Sequence, residues 1–110
     1  MNKITITELP PFDKKAAKLF RPKELDELKN YLMFHPDKGD VIPGTGGIRK
    51  MRWASGNKGK RSGARVIYFY HVVGTTIYLM TCYTKSEQAD ISPTVKKQLK
   101  AMAELIKKGT

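Results

Sequence analysis

Eight basic side chains, Arg49, Lys50, Arg52, Lys58, Lys60, Arg61, Arg65 and Lys85, lie between positions 41 and 86 of this chain, with no acidic residue among them. Arginine grips a phosphodiester through a planar fork of N–H donors, and lysine sets a point charge beside it. A tyrosine such as Tyr83 stacks on a base or gives up a proton. The flanking segments are nearly balanced, with eight basic against seven acidic side chains before position 41 and five against three after position 86. A basic face kept only for solubility intersperses carboxylates, because like charges held together repel. The middle segment therefore reads as a surface that faces phosphate.

Such a surface has the means to do more than bind. RNA carries its own nucleophile, the ribose 2′-hydroxyl. Cleavage needs that proton removed, the added charge on phosphorus stabilised and the departing 5′-oxygen protonated. Arginine and lysine supply the charge stabilisation, and a lysine crowded by like charges is driven towards useful proton transfer near neutral pH. A histidine or carboxylate pair is hard to find. His35 precedes a proline far away in sequence and His71 ends a strand, so both read as structural, while Glu87 and Asp90 read as salt-bridge neighbours of Lys85 or polar surface. Two remote histidines and one cysteine offer no metal-ligand spacing, so neither metal nor cofactor is expected. Cys82 alternates into an apolar strand as packed core.

The elements that must hold these groups come from a chain of 110 residues and 12.5 kDa, enough for one domain spanning 1–110. Its composition, 40% hydrophobic and 28% charged, is that of a folded globule. The net charge of +11 favours a polyanionic or acidic partner over small-molecule chemistry. One cysteine excludes an internal disulfide framework and fits a reducing compartment. No apolar run approaches membrane-spanning length and no signal-peptide core opens the chain, so a cytoplasmic protein without membrane contact is expected.

Alternation over residues 4–9 predicts a strand stopped by Pro10 and Pro11. Apolar residues at three- and four-residue spacing predict a helix around 12–20 and a second from Pro22 through Leu25, Leu28 and Leu32. Residues 36–47 form a loop ending in Gly44-Thr45-Gly46-Gly47, which lacks the Lys-Ser/Thr that closes a phosphate-binding loop. Three strands follow, over 48–54, 64–71 and 76–83, the first two joined by a glycine-flanked basic loop and the last two by a turn at Gly74. Ser92 and Pro93 open a last helix that runs towards Lys108. The fold class is α+β, in the order β-α-α-β-β-β-α. Alternation puts Lys50 and Arg52 on one face of their strand and Arg49, Met51 and Trp53 on the other. In an aligned meander Lys50, Arg52, Arg65, Tyr83 and Lys85 converge on one concave face, with Lys58, Lys60 and Arg61 above it.

Three motifs in this order resemble the HigB-like branch of the RelE/ParE toxin superfamily of type II toxin-antitoxin systems. They are Gly-Asp-Val-Ile-Pro-Gly-Thr-Gly-Gly-Ile-Arg-Lys-Met-Arg-Trp-Ala from position 39, Lys-Gly-Lys-Arg-Ser-Gly-Ala-Arg-Val-Ile-Tyr from position 58 and Tyr-Thr-Lys-Ser-Glu from position 83. The resemblance implies a RelE-like fold: an antiparallel sheet with helices on one side and a basic concave face exposed. It implies an endoribonuclease, an mRNA interferase that cuts messenger RNA in the A site of the 30S ribosomal subunit beside rRNA, and charge stabilisation by Arg and Lys makes the expected reaction metal-independent. The products would be 2′,3′-cyclic phosphate and 5′-hydroxyl ends, and a cognate antitoxin, HigA-like, would silence it. Lys50, Arg52 and Arg65 match positions where such toxins carry catalytic Lys and Arg, and Lys85 falls in the basic position after the last strand. An arginine that some members place next is Ser86 here, and their tyrosine near the last helix is replaced by Ile91 and Ser92, so either Tyr83 takes over as the stacking group or the ribosome supplies more of the alignment; Lys50, Arg52, Arg65, Tyr83 and Lys85 are the catalytic set. Arg49, Lys58, Lys60 and Arg61 are assigned to RNA binding. A non-catalytic RNA- or DNA-binding module, or an inactive relative that binds a partner, would use the same patch.

Overall fold

The computed structural model describes residues 3–54, 63–88 and 90–109; Lys58, Lys60 and Arg61 lie outside the described residues. The chain opens with β1 (Thr5–Glu8), α1 (Pro10–Leu19) and α2 (Pro22–Phe34). Both helices start on proline, whose fixed φ suits a first turn and whose missing N–H costs nothing there. Glu24 Oε1 accepts the Arg21 N–H at 2.8 Å and closes the entry to α2. Then come β2 (Asp40–Val41), β3 (Ile48–Trp53), β4 (Ala64–His71), β5 (Thr76–Thr84) and α3 (Pro93–Lys108). As its sequence predicts, α3 is capped by Ser92, whose Oγ accepts from the Val95 N–H at 3.2 Å.

The five strands among the described residues share one sheet in the order β1-β5-β4-β3-β2. The antiparallel meander is β3-β4-β5, but β1 runs parallel to β5, so the sheet is mixed. The long connection through both helices and the meander allows that direction, which a tight hairpin would forbid. The two-residue β2, inside the expected loop, pairs Asp40 with Lys50 and Val41 with Arg49. It is too short to show alternation.

Helices cover both faces rather than one. On the first, Phe12, Ala16, Phe20, Leu28 and Leu32 pack on Met51, Val66, Tyr68, Ile77, Leu79 and Cys82. On the second, Ala103, Leu99 and Ile106 of α3 pack on Ile48, Ile67, Phe69, Met80 and Tyr83. The sheet has apolar residues on both sides, and each would stay wet without a layer above it. Burying Leu28 or Phe12 completely contributes about 1.5–3 kcal/mol apiece, giving a stiff platform.

Two local features aim the side chains. Between β4 and β5 the register passes from Tyr68↔Leu79 to Ile67↔Thr81, leaving Met80 as an extra residue in a bulge. Alternation along β5 flips there, so Tyr83 joins Arg65 on the α3 face instead of sharing the Leu79 face. The glycine cluster before β3 is a structural turn, with Gly44 at φ 76° and Gly46 at φ 78°. Between them Thr45 is fully buried, its Oγ1 donating to Ile42 O at 2.6 Å and accepting from the Ile48 N–H at 3.1 Å. No helix among the described residues is long and apolar enough to cross a membrane.

Candidate functional site

β2 covers β3 only at Arg49 and Lys50, and from Lys50 to Trp53 β3 borders a cleft of about 670 Å³. Lys50, Arg52, Arg65 and Lys85 line it, together with Lys38, Gly39 and Asp40 of the β2 approach and Tyr31, Met51 and Trp53 from the other face of the sheet. Register makes the cluster: Arg52 stands directly opposite Arg65, and Arg65 directly opposite Tyr83, in one rung across three strands. Lys50 is on the same face two residues along β3, and Lys85 follows β5 in an exposed turn. Like charges facing each other across a strand pair repel, a cost the rest of the sheet has to offset. Arg65 is 9% exposed. A guanidinium at a cleft floor, shielded from bulk water, acts on a phosphate more strongly than one in open solvent.

Tyr83 is not the stacking group expected. Its ring is 1% exposed, enclosed by α3 and the second core because the Met80 bulge turned it there. Its hydroxyl donates to Asp90 Oδ1 at 3.3 Å. Burial first, then the Asp90 charge and this hydrogen bond, push the phenol up to about 12 against a smaller opposing influence of Arg65. Tyr83 is thus a protonated donor at neutral pH.

Asp90 differs from its sequence reading too. Its Oδ1 accepts the Ile91 N–H at 2.8 Å and lies 3.4 Å from Lys50 Nζ, so its partners are Lys50 and Tyr83 rather than Lys85. The Ile91 N–H, against partial desolvation and with help from Lys50, holds the carboxyl below its usual range. Glu87 turns to Thr84, accepting its N–H and its Oγ1–H at 3.0 Å each, and these bonds hold Glu87 low.

Arg49 was expected to bind RNA, but it lies on the opposite face of β3 with its Nη1 donating to Asp37 O at 3.0 Å and Gly39 O at 2.8 Å. Tyr68 assists, donating to Pro36 O at 2.9 Å and accepting the Gly39 N–H at 2.8 Å. A Cβ on Gly39 would fall 2.9 Å from the Tyr68 ring, so only glycine lets the loop lie this close. Together Arg49 and Tyr68 pin one wall of the cleft. Aromatic lining comes from Tyr31 and Trp53, ring centroids 5.3 Å apart, which sequence reasoning missed. Trp53 ends the strand that carries Lys50 and Arg52, a hint available in sequence; nothing local pointed to Tyr31 in α2.

Residues 39–110 match the family described as RelE toxin of the RelE / RelB toxin-antitoxin system. The fold is similar to that of E. coli toxin RelE in the free state, in a mutant with two arginines replaced by alanine. The TM-score is 0.58 and the identity 13%, over 80% of this chain and 90% of that one. At this identity the likeness speaks for fold alone. The family match takes in the second core and every charged residue placed on the cleft except Lys38, and it extends over well more than half of the sequence: the chain belongs to the RelE toxin family and is a toxin of the toxin-antitoxin kind.

Proposed function

We propose that this toxin is a HigB-like mRNA interferase, an endoribonuclease that acts in the cytoplasm on messenger RNA held in the ribosomal A site. The observation that carries this reading is the Arg52–Arg65 rung, flanked by Lys50 and Lys85 on an open cleft. A fold gains nothing from that concentration of like charge, whereas a phosphorane-like transition state with extra negative charge does. Arg52 and Arg65 hold the non-bridging oxygens, Lys50 and Lys85 flank them, and Tyr31 and Trp53 offer ring surface to a base. The 2′-hydroxyl gives its proton to water as its oxygen attacks phosphorus, and the bond to the 5′-oxygen breaks as that oxygen takes a proton from water, leaving a 2′,3′-cyclic phosphate and a 5′-hydroxyl without a metal. With Tyr83 protonated and enclosed, the chain supplies little acid-base power. In-line geometry therefore has to come from the ribosome, where positioning alone is worth several kcal/mol. A HigA-like antitoxin with an acidic segment suits the basic face.

Primer extension on cellular transcripts after brief induction tests the reading. Codon-spaced cuts confined to translated frames are expected. Equal cutting of untranslated regions, or rapid cutting of purified naked RNA, would overturn it.

A further inference from the structure

Asp90 is an acidic side chain held against the cationic cluster. An anion beside a phosphate site repels the substrate, and the Asp90 side chain is 61% exposed, so its charge acts where RNA would lie. Asp40 stands directly opposite Lys50 across β2 and β3, yet Lys50 Nζ approaches Asp90, 40 residues away in sequence. The carboxylate is firmly anchored. The Ile91 N–H donates to Oδ1 at 2.8 Å, the Tyr83 hydroxyl donates to the same oxygen from an immobilised ring, and Gln88 Nε2 holds the Asp90 backbone carbonyl at 2.8 Å. A lysine carries its charge on four rotatable bonds and samples many positions unless something fixes its end. The path from the buried Tyr83 ring through Asp90 to Lys50 Nζ ties that charge to the core.

We propose that Asp90 is a positioning residue for RNA cleavage: anchored by the Tyr83 hydroxyl and the Ile91 N–H, its carboxylate holds the Lys50 ammonium beside the Arg52–Arg65 rung. This rests on the ribonuclease reading above. The carboxylate weakens ground-state binding of RNA and repays that in the chemical step, because a preset cation needs no reorganisation as charge develops.

The test measures steady-state and single-turnover cleavage on programmed ribosomes for wild type, Asp90→Ala, Asp90→Asn, Lys50→Ala, the Lys50→Ala/Asp90→Ala double variant and Arg65→Ala, with melting temperature for each. Asp90→Ala should lower kcat at least about tenfold while KM stays level or falls, since an anion has left the RNA path. In the Lys50→Ala background the same substitution should change kcat less than about twofold, because its effect passes through Lys50. Asp90→Asn keeps an acceptor for Tyr83 without the charge; it should melt like wild type yet cleave slowly, and it carries the test if the alanine variant fails to fold. Wild-type kcat in either Asp90 variant overturns the proposal, as do losses from Lys50 and Asp90 that multiply. Wild type and Arg65→Ala alike cleaving nothing would instead sink the ribonuclease reading.

Discussion

Replacing Arg65 by alanine removes the guanidinium at the centre of the rung that runs from Arg52 to Tyr83. At 9% exposure it lies at the floor of the cleft, and in the proposed reaction a charge-assisted contact from it to the transition state is worth about 2–4 kcal/mol. At 1.36 kcal/mol per tenfold, that is a fall in kcat of roughly 30- to 1,000-fold. The chain should still fold: losing the packed stem and the guanidinium's own contacts lowers the melting temperature, and relieving the repulsion from Arg52 offsets part of that. Arg65→Lys keeps the charge without the fork and should recover only part of the rate. The assay is cleavage of a defined messenger on programmed ribosomes, beside thermal melting and growth inhibition. A folded Arg65→Ala protein that cleaves within threefold of the wild-type rate would refute the assignment.

Raising pH should destabilise the protein between about 9 and 12. Cys82, ordinarily near 9.0, is pushed up to about 12 by burial, and Tyr83, ordinarily near 10.0, reaches about 12. The folded state therefore keeps protons that the unfolded chain releases, so this stability is complete below the ordinary values and lost as pH climbs through the folded ones. Denaturant titrations across that range should show the loss, smaller in Tyr83→Phe, and a flat profile would contradict it. Arg49→Ala should lower stability by about 1–3 kcal/mol through loss of its bonds to the 37–39 backbone. Its ribosome affinity should keep the wild-type salt slope, and a reduced slope would return Arg49 to the RNA-binding set. Replacing Lys58, Lys60 and Arg61 together should weaken ribosome binding and reduce its salt dependence, as expected for phosphate contacts. Unchanged binding across a salt titration would remove them from the interface.

Much of this molecule is written locally. Forty-six consecutive positions without a carboxylate mark the functional segment, because charge is read directly from residue types. Ser92-Pro93 and the apolar stripe through Leu99 and Ala103 mark α3, and two-residue alternation puts Lys50 and Arg52 together, because each depends only on the geometry of a single helix or strand. An aligned meander already brought Lys50, Arg52, Arg65 and Lys85 to one face, but the irregular meetings of distant backbone segments were out of reach. The bulge at Met80 arises from pairing with β4 and sets Tyr83 opposite Arg65, and α3, packed over that face, encloses the ring that was expected to stack. Arg49 became a clamp on the 37–39 backbone because β2, two residues long, folds that loop against it. Asp90 met Lys50 across 40 residues of chain because the segment between β5 and α3 returns to the sheet beside β3. Residue type and local period determined which groups are available for chemistry; register, which depends on partners far along the chain, determined which of them face the cleft and which hold it in shape.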